Sequence, residues 1–239
     1  MVRVAPSMRY PCPLVPGTLV RRYKRFLADI RLGEGSIVTA HCANPGAMLG
    51  IVDPGLPVWL LPARSATRKL AWSWAVVEAE GTLIGVNTSL PNVLVPEALA
   101  AGVIPELRGY DRVRREVRYG EASRVDLLLE EPGRPICYLE IKNAHLKRDG
   151  AAEFPDCVTA RGARHMAELA VMVRQGHRAV VLFVVQRSDC DRFRTAADLD
   201  PAYDRALRDA HAAGVEVLCY ACRVSLNGVD IAVRLPIQI

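Results

Sequence analysis

Ser123-Arg-Val-Asp-Leu-Leu-Leu129 and the later Cys137-Tyr-Leu-Glu-Ile-Lys-Asn143 both read as buried β-strands, and each carries an acid where an apolar residue is expected. Val125, Leu127, Leu128 and Leu129 surround Asp126, while Ile136, Tyr138, Leu139 and Ile141 lead to and flank Glu140. A buried, unpaired carboxylate costs several kcal/mol unless a cation, hydrogen bonds or a metal compensates. Two readings follow: an Asp/Glu/Lys ion-pair network closing a sheet end, or a divalent-metal site. Side chains alternate along a strand, so Glu140 and Lys142 share one face and Ile141 packs on the other. In the metal reading Asp126, Glu140 and the Ile141 carbonyl hold Mg²⁺, or Mn²⁺ in its place, as a hard ion among oxygen ligands. Lys142 then orients a water or offsets charge at phosphorus. Glu97, on the preceding helix, adds a further carboxylate, and Gln186, ending an apolar strand, is placed to position water behind the ligands.

Working outward, the expected order is a helix at 94–101 stopped by Gly102, strands at 112–119, 123–130 and 136–143, and a helix at 160–174. A strand at 178–186 follows, too continuously apolar for a one-sided sheet. A helix at 201–213 and a strand at 215–220 complete the series. Before residue 90 the texture differs. Apolar runs at 19–30, 36–41, 57–61, 71–78 and 82–87 are broken by Gly33-Glu-Gly35, Asn44-Pro-Gly46, Asp53-Pro-Gly55 and Glu80-Gly81. That spacing favours a five-stranded oligonucleotide-binding (OB) barrel, with an SH3-like barrel nearly as good a fit. The predicted division is a barrel at 1–88 and an α/β (α+β) domain at 89–239.

The net charge of +5 is unevenly distributed. Residues 1–90 hold 10 Lys and Arg against 5 Asp and Glu, and the remainder holds 21 of each. Part of the excess is Arg21, Arg22, Lys24 and Arg25, interleaved with Tyr23 and Phe26. Such a cluster suits phosphate neutralisation and base stacking, or equally a solvated face near aromatic anchors. Arg161 and Arg164, with His165, open the 160–174 helix and offer a second basic face for DNA or for acids. His41 reads as a hydrogen-bonded barrel histidine rather than a metal ligand. Seven scattered cysteines suit reduced thiols; Cys219 and Cys222 alone have metal-like spacing, with a redox role as the lesser alternative. No stretch has the apolar length of a membrane span or a secretory signal, so a cytoplasmic protein is expected, and a homo-oligomer is compatible with the composition.

Several longer strings sharpen the reading: Leu19-Val-Arg-Arg-Tyr-Lys-Arg-Phe-Leu-Ala-Asp29, Val38-Thr-Ala-His-Cys42, Ser123-Arg-Val-Asp126, Glu140-Ile-Lys-Asn143, Phe154-Pro-Asp-Cys-Val-Thr-Ala-Arg-Gly162 and Leu182-Phe-Val-Val-Gln-Arg187. Together, from about residue 10 onward, they resemble the bacterial sugar fermentation stimulation protein A family. The resemblance implies an OB-type barrel followed by a PD-(D/E)XK nuclease-like domain. The nuclease motif falls on Asp126, Glu140 and Lys142, with Glu97 as the helix carboxylate. It also implies DNA binding, and a link to regulation of sugar metabolism, especially maltose. Two functions are therefore expected: a DNA-binding protein with a Mg²⁺-dependent nuclease-like centre, or a non-catalytic DNA-binding regulator. Without a helix-turn-helix pattern, binding would be phosphate-driven and weakly sequence-specific. One departure stands out: the family's Asn-Thr-Gly-Ser-Met is here Asn44-Pro-Gly-Ala-Met48, two hydroxyls fewer, with a proline that fixes φ and donates no hydrogen bond.

Overall fold

The computed structural model describes residues 8–63, 65, 67–120 and 123–239. The barrel is built from β2 (Val15–Tyr23), β3 (Leu27–Leu32), β4 (Ile37–His41), β5 (Pro57–Pro62) and β6 (Trp72–Ala79), in sheet order β4-β3-β2-β5-β6. A parallel contact from β4 to β6, Ala40 opposite Trp72, closes it. β7 (Thr82–Gly85) extends β6 as a hairpin. Leu19, Ile30, Val58, Leu60 and Trp74 fill the interior, with Met48 and Ile51 plugging it from a loop. The apolar run predicted at 19–30 is a hairpin, because Lys24 and Arg25 take φ of 48° and 61° and reverse the chain between β2 and β3.

The second unit has a seven-stranded sheet ordered β1 (Met8–Arg9), β16 (Gly228–Arg234), β15 (Glu216–Ser225), β13 (Arg178–Val185), β10 (Cys137–Ala144), β9 (Ser123–Glu130) and β8 (Arg112–Tyr119). α1 (Pro91–Ala100) covers one face, packing Leu94, Val95 and Ala98 on Leu127, Leu139, Ile141 and Leu182. α2 (Ala160–Arg174) and α3 (Pro201–Ala212) cover the other, packing Met166, Leu169 and Leu207 on Leu128, Phe183 and Phe193. Thr159 starts α2 by accepting from the Gly162 N–H, and Asp200 starts α3 by accepting from Tyr203 N–H. A small sheet of β11 (Leu146–Arg148), β12 (Ala151–Phe154), β14 (Arg192–Thr195) and β17 (Ile237–Gln238) lies beside it. The helix, three-strand, helix, strand order is thus the one expected, and β10 runs parallel to β13 and antiparallel to β9. Met8–Arg9, which the sequence reading assigns to the barrel, pairs with β16, so the chain touches the large sheet before entering the barrel.

Candidate functional site

The site lies where β9 and β10 diverge. Their ladder runs Leu129 to Cys137, Leu128 to Tyr138, Leu127 to Leu139, and stops there. The next backbone donor, Ile141 N–H, is taken at 2.7 Å by Asp126 Oδ2, so a side chain replaces the missing ladder partner. Asp126 Oδ1 accepts from Asn92 of α1 at 3.3 Å. Burial, then the Glu140 charge, push the Asp126 carboxyl up to about 6.

Glu140 is 3% exposed and points to the α2 face of the sheet, as the alternation requires. Its Oε1 accepts from Lys142 Nζ at 2.7 Å and from His165 Nδ1 of α2. Arg161 Nε donates to His165 Nε2 at 3.2 Å, which leaves Nδ1 as the protonated nitrogen facing Glu140. Burial pushes the Glu140 carboxyl up, but His165 and Lys142 together outweigh it and hold it below its ordinary value. The second oxygen, Oε2, is buried without a partner.

The expected trio is therefore brought together, and His165 and Asn92 join it. His165 could have been read from the sequence: it stands one helical turn after Arg161 on the inward stripe of α2. Glu97 is placed differently from expectation. α1 lies on the opposite face from Glu140 and Lys142, and five positions beyond Asn92 turn Glu97 by about 140° around the axis. Among the described residues no hydrogen bond or ion pair joins Glu97 to the trio, and its Oε2 is buried unpaired. Gln186, fully buried, braces the junction with the barrel: Nε2 donates to Asn87 O at 2.8 Å and Asn143 Oδ1 at 2.5 Å, and its backbone carbonyl accepts from Gly85 N–H at 2.9 Å.

The basic hairpin is mostly engaged within the barrel. Arg21 pairs with Asp29 at 2.8 Å and stacks over Tyr23, whose hydroxyl donates to the same Asp29. Arg22 donates to the Asn44, Gly46 and Ala47 carbonyls at 2.8, 2.8 and 3.3 Å. Lys24 and Arg25 stand exposed at the turn. The Asn44–Met48 loop that Arg22 holds is a docking element: Met48 N–H donates at 2.7 Å to Asp156 Oδ2, which also meets His145 Nε2 at 3.2 Å. All seven cysteines are free thiols, with Cys219 and Cys222 buried in β15. Among the described residues no three His, Cys, Asp or Glu side chains cluster as metal ligands. A cation here would rest on two carboxylates, the Ile141 carbonyl and water. The orphaned Glu140 Oε2 and the mutually repelling acids fit that role.

These features define a protein that couples an OB barrel to a mixed α/β domain with an acid-acid-lysine centre at a strand divergence. Residues 20–86 match the family described as SfsA N-terminal OB domain, and residues 89–228 the Sugar fermentation stimulation protein RE domain. The chain belongs to the sugar fermentation stimulation protein (SfsA) family, and the first unit is an OB barrel. A sugar fermentation stimulation protein homolog of Maricaulis maris is 60% identical over 225 residues, covering 94% of this chain and 96% of the relative. One from Paramagnetospirillum magneticum is 55% identical over 232 residues, covering 97% and 98%. The solved structure of Pyrococcus furiosus SfsA in complex with Ca²⁺ matches with a TM-score of 0.88 at 29% identity, covering 98% of this chain and all of that one. Among the described residues no helix is long and apolar enough to cross a membrane.

Proposed function

We propose that this protein binds DNA through phosphate contacts, with weak sequence preference, and cleaves phosphodiesters with Mg²⁺ or Mn²⁺ at Asp126, Glu140 and the Ile141 carbonyl. The observation that carries the reading is the buried, unpartnered Glu140 Oε2 beside a second acid whose proton affinity is raised. A bound divalent ion would polarise a phosphate oxygen and acidify a water. Lys142, fixed by Glu140 at 2.7 Å, holds a positive charge where the attacked phosphate gains negative charge. His165, wedged between Arg161 and Glu140, fixes the rotamer of Glu140. The relative from Pyrococcus furiosus carries Ca²⁺, an oxygen-seeking divalent ion of the same class. Free cysteines throughout agree with a cytoplasmic setting.

The test combines Mn²⁺ titration by calorimetry with incubation of single-stranded, duplex and branched DNA. Asp126→Ala is expected to lower metal affinity at least about 10-fold and cleavage about 100-fold, whereas Lys142→Met should lose cleavage and keep the metal. Failure of wild-type protein to bind Mn²⁺ at millimolar levels would sink the metal site. A second reading, a DNA-binding regulator of sugar (maltose) genes without turnover, is favoured by one feature: Lys142 and His165 both occupy Glu140 Oε1, closing the network without substrate. Metal binding and DNA affinity with no cleavage of any substrate would select it.

A further inference from the structure

Arg21 and Arg22 are engaged inside the barrel, which leaves Lys24 and Arg25 at the hairpin turn, and a second set of cations without acidic partners lies on the α/β domain. On β8, Arg112 and Arg114 both pair with Glu130 at 3.5 Å. Further along, Arg118 stands directly opposite Arg124 in the β8–β9 ladder, both exposed. Like charges in register destabilise a sheet, so this pair points to an anion that the fold itself does not supply. Among the described residues Arg118, Arg164 and Arg174 have no ion pair. These three exposed side chains converge on one cavity of about 680 Å³ between the end of β8, β10 and α2.

Tyr119 and Tyr138 also line this cavity, their ring centroids 5.5 Å apart. Tyr119 is 7% exposed, and its hydroxyl is buried with no hydrogen-bond partner. Burial, followed by the charges of Glu140, Glu168 and Asp126, pushes that hydroxyl up. Tyr138 lies two positions before Glu140 on the same face of β10, and Arg164 directly precedes the His165 that meets Glu140, so the cavity borders the acid pair. Glu168 is the one acid among the lining residues, leaving the positive charges in excess. Guanidinium forks bind phosphate oxygens in charge-assisted pairs, and a half-exposed tyrosine face stacks on a base.

We propose that this cavity is the subsite for the nucleotide adjoining the phosphate held at Asp126 and Glu140. Arg118, Arg164 and Arg174 take its phosphate, and its base lies against Tyr138. The inference rests on the nucleic-acid reading of the acid pair, and it moves the main contact surface from the barrel hairpin to the rim of the α/β domain.

The experiment measures anisotropy of a fluorescein-labelled single-stranded DNA in Ca²⁺, across a salt series, for wild-type protein, the three single Arg→Ala variants, their triple combination and Lys24→Ala. Each single change is expected to weaken binding about 5- to 10-fold and to flatten the salt slope by about 0.7, the triple change by correspondingly more, and Lys24→Ala much less. All three arginines are exposed, and the single variants keep the test decisive if the triple one does not fold. Wild-type affinity and slope in Arg118→Ala, Arg164→Ala and Arg174→Ala, with Asp126-dependent cleavage intact, would overturn the subsite and leave the acid-pair reading standing. A wild-type protein that binds no nucleic acid would overturn both.

Discussion

Asp126 is the residue whose chemistry depends most on the fold. Its carboxyl is raised from 3.8 to about 6, so the folded chain holds its proton more tightly than the unfolded chain does. Stability of the metal-free protein should therefore be fully present below about pH 4 and fall as pH rises through about 6. Two pKa units correspond to at most about 3 kcal/mol, and to about 1–2 kcal/mol after solvent screening of a carboxyl that is not fully buried. Asp126→Asn keeps an oxygen for Ile141 N–H and removes the charge. In EDTA at pH 8 it should raise urea-derived stability by about 1–2 kcal/mol and flatten the slope between pH 4 and 6. An unchanged slope would show that another group titrates there. At this scale the acids and Lys142 were legible because charges interrupt apolar strands. His165 reads there only as part of a basic helix face, although its place on the inward stripe was available. Asn92 was not legible, since nothing in a one-dimensional pattern says which helix face meets which strand end. Glu97 was expected at the site, from its helix and from the resemblance, without knowledge of its rotation on α1.

Among the elements, β8, β9 and α2 follow the expected bounds because alternation, or a helical stripe ended by Gly176, is strong there. The small sheet escaped the sequence reading. β14 reads Arg-Phe-Arg-Thr, and β12 buries Glu153 at 1% exposure, held by Arg148 and by Arg194 at 2.6 Å. Strands held by ion pairs carry no apolar signal. The β2–β3 hairpin misled in the opposite way: its arginines look like a nucleic-acid patch, yet Arg22 ties down three loop carbonyls. Arg22→Ala should therefore cost about 1–3 kcal/mol in denaturant unfolding, from three lost charge-assisted bonds partly exposed to water, whereas Lys24→Ala at the open turn should stay within about 0.5 kcal/mol of wild type. Equal and small effects of the two substitutions would return Arg22 to the pool of free cations. The same bonds reach only backbone groups of the Asn44-Pro-Gly-Ala-Met48 loop. A Cβ on Gly46 would lie 2.6 Å from the Asp156 carboxylate oxygens, so close docking on the α/β domain fixes the loop without hydroxyls.

At the scale of the whole molecule, barrel and α/β domain are joined by polar contacts rather than by one shared core, since the barrel cluster is separate from the two that sandwich the large sheet. Three latches carry the joint: Met48 on Asp156, Glu80 on Lys147 at 2.8 Å and Arg187 at 3.5 Å, and Gln186 reaching Gly85, Asn87 and Asn143 at once. The Gln186 latch holds Asn143, one position beyond Lys142, so it ties the barrel to the strand that presents Glu140 and Lys142. Gly85 is where that tie is most sensitive. A Cβ there would run into Gln186 Oε1 and sit 3.2 Å from Gln186 Cβ, and Gln186 cannot swing away without breaking both of its amide hydrogen bonds in a fully buried position. Gly85→Ala should therefore cost about 2–3 kcal/mol, the sum of overpacking and a strained buried amide. Because the contact spans both units, the loss should also uncouple them: wild-type protein should unfold in one transition, and the variant should show the barrel melting ahead of the α/β domain. Tryptophan fluorescence reads the barrel, since Trp59, Trp72 and Trp74 all lie in β5 and β6, while far-ultraviolet dichroism reads the helices, which belong to the other unit. Coincident curves for Gly85→Ala at wild-type stability would show that the junction at Gln186 yields and does not hold the two units together.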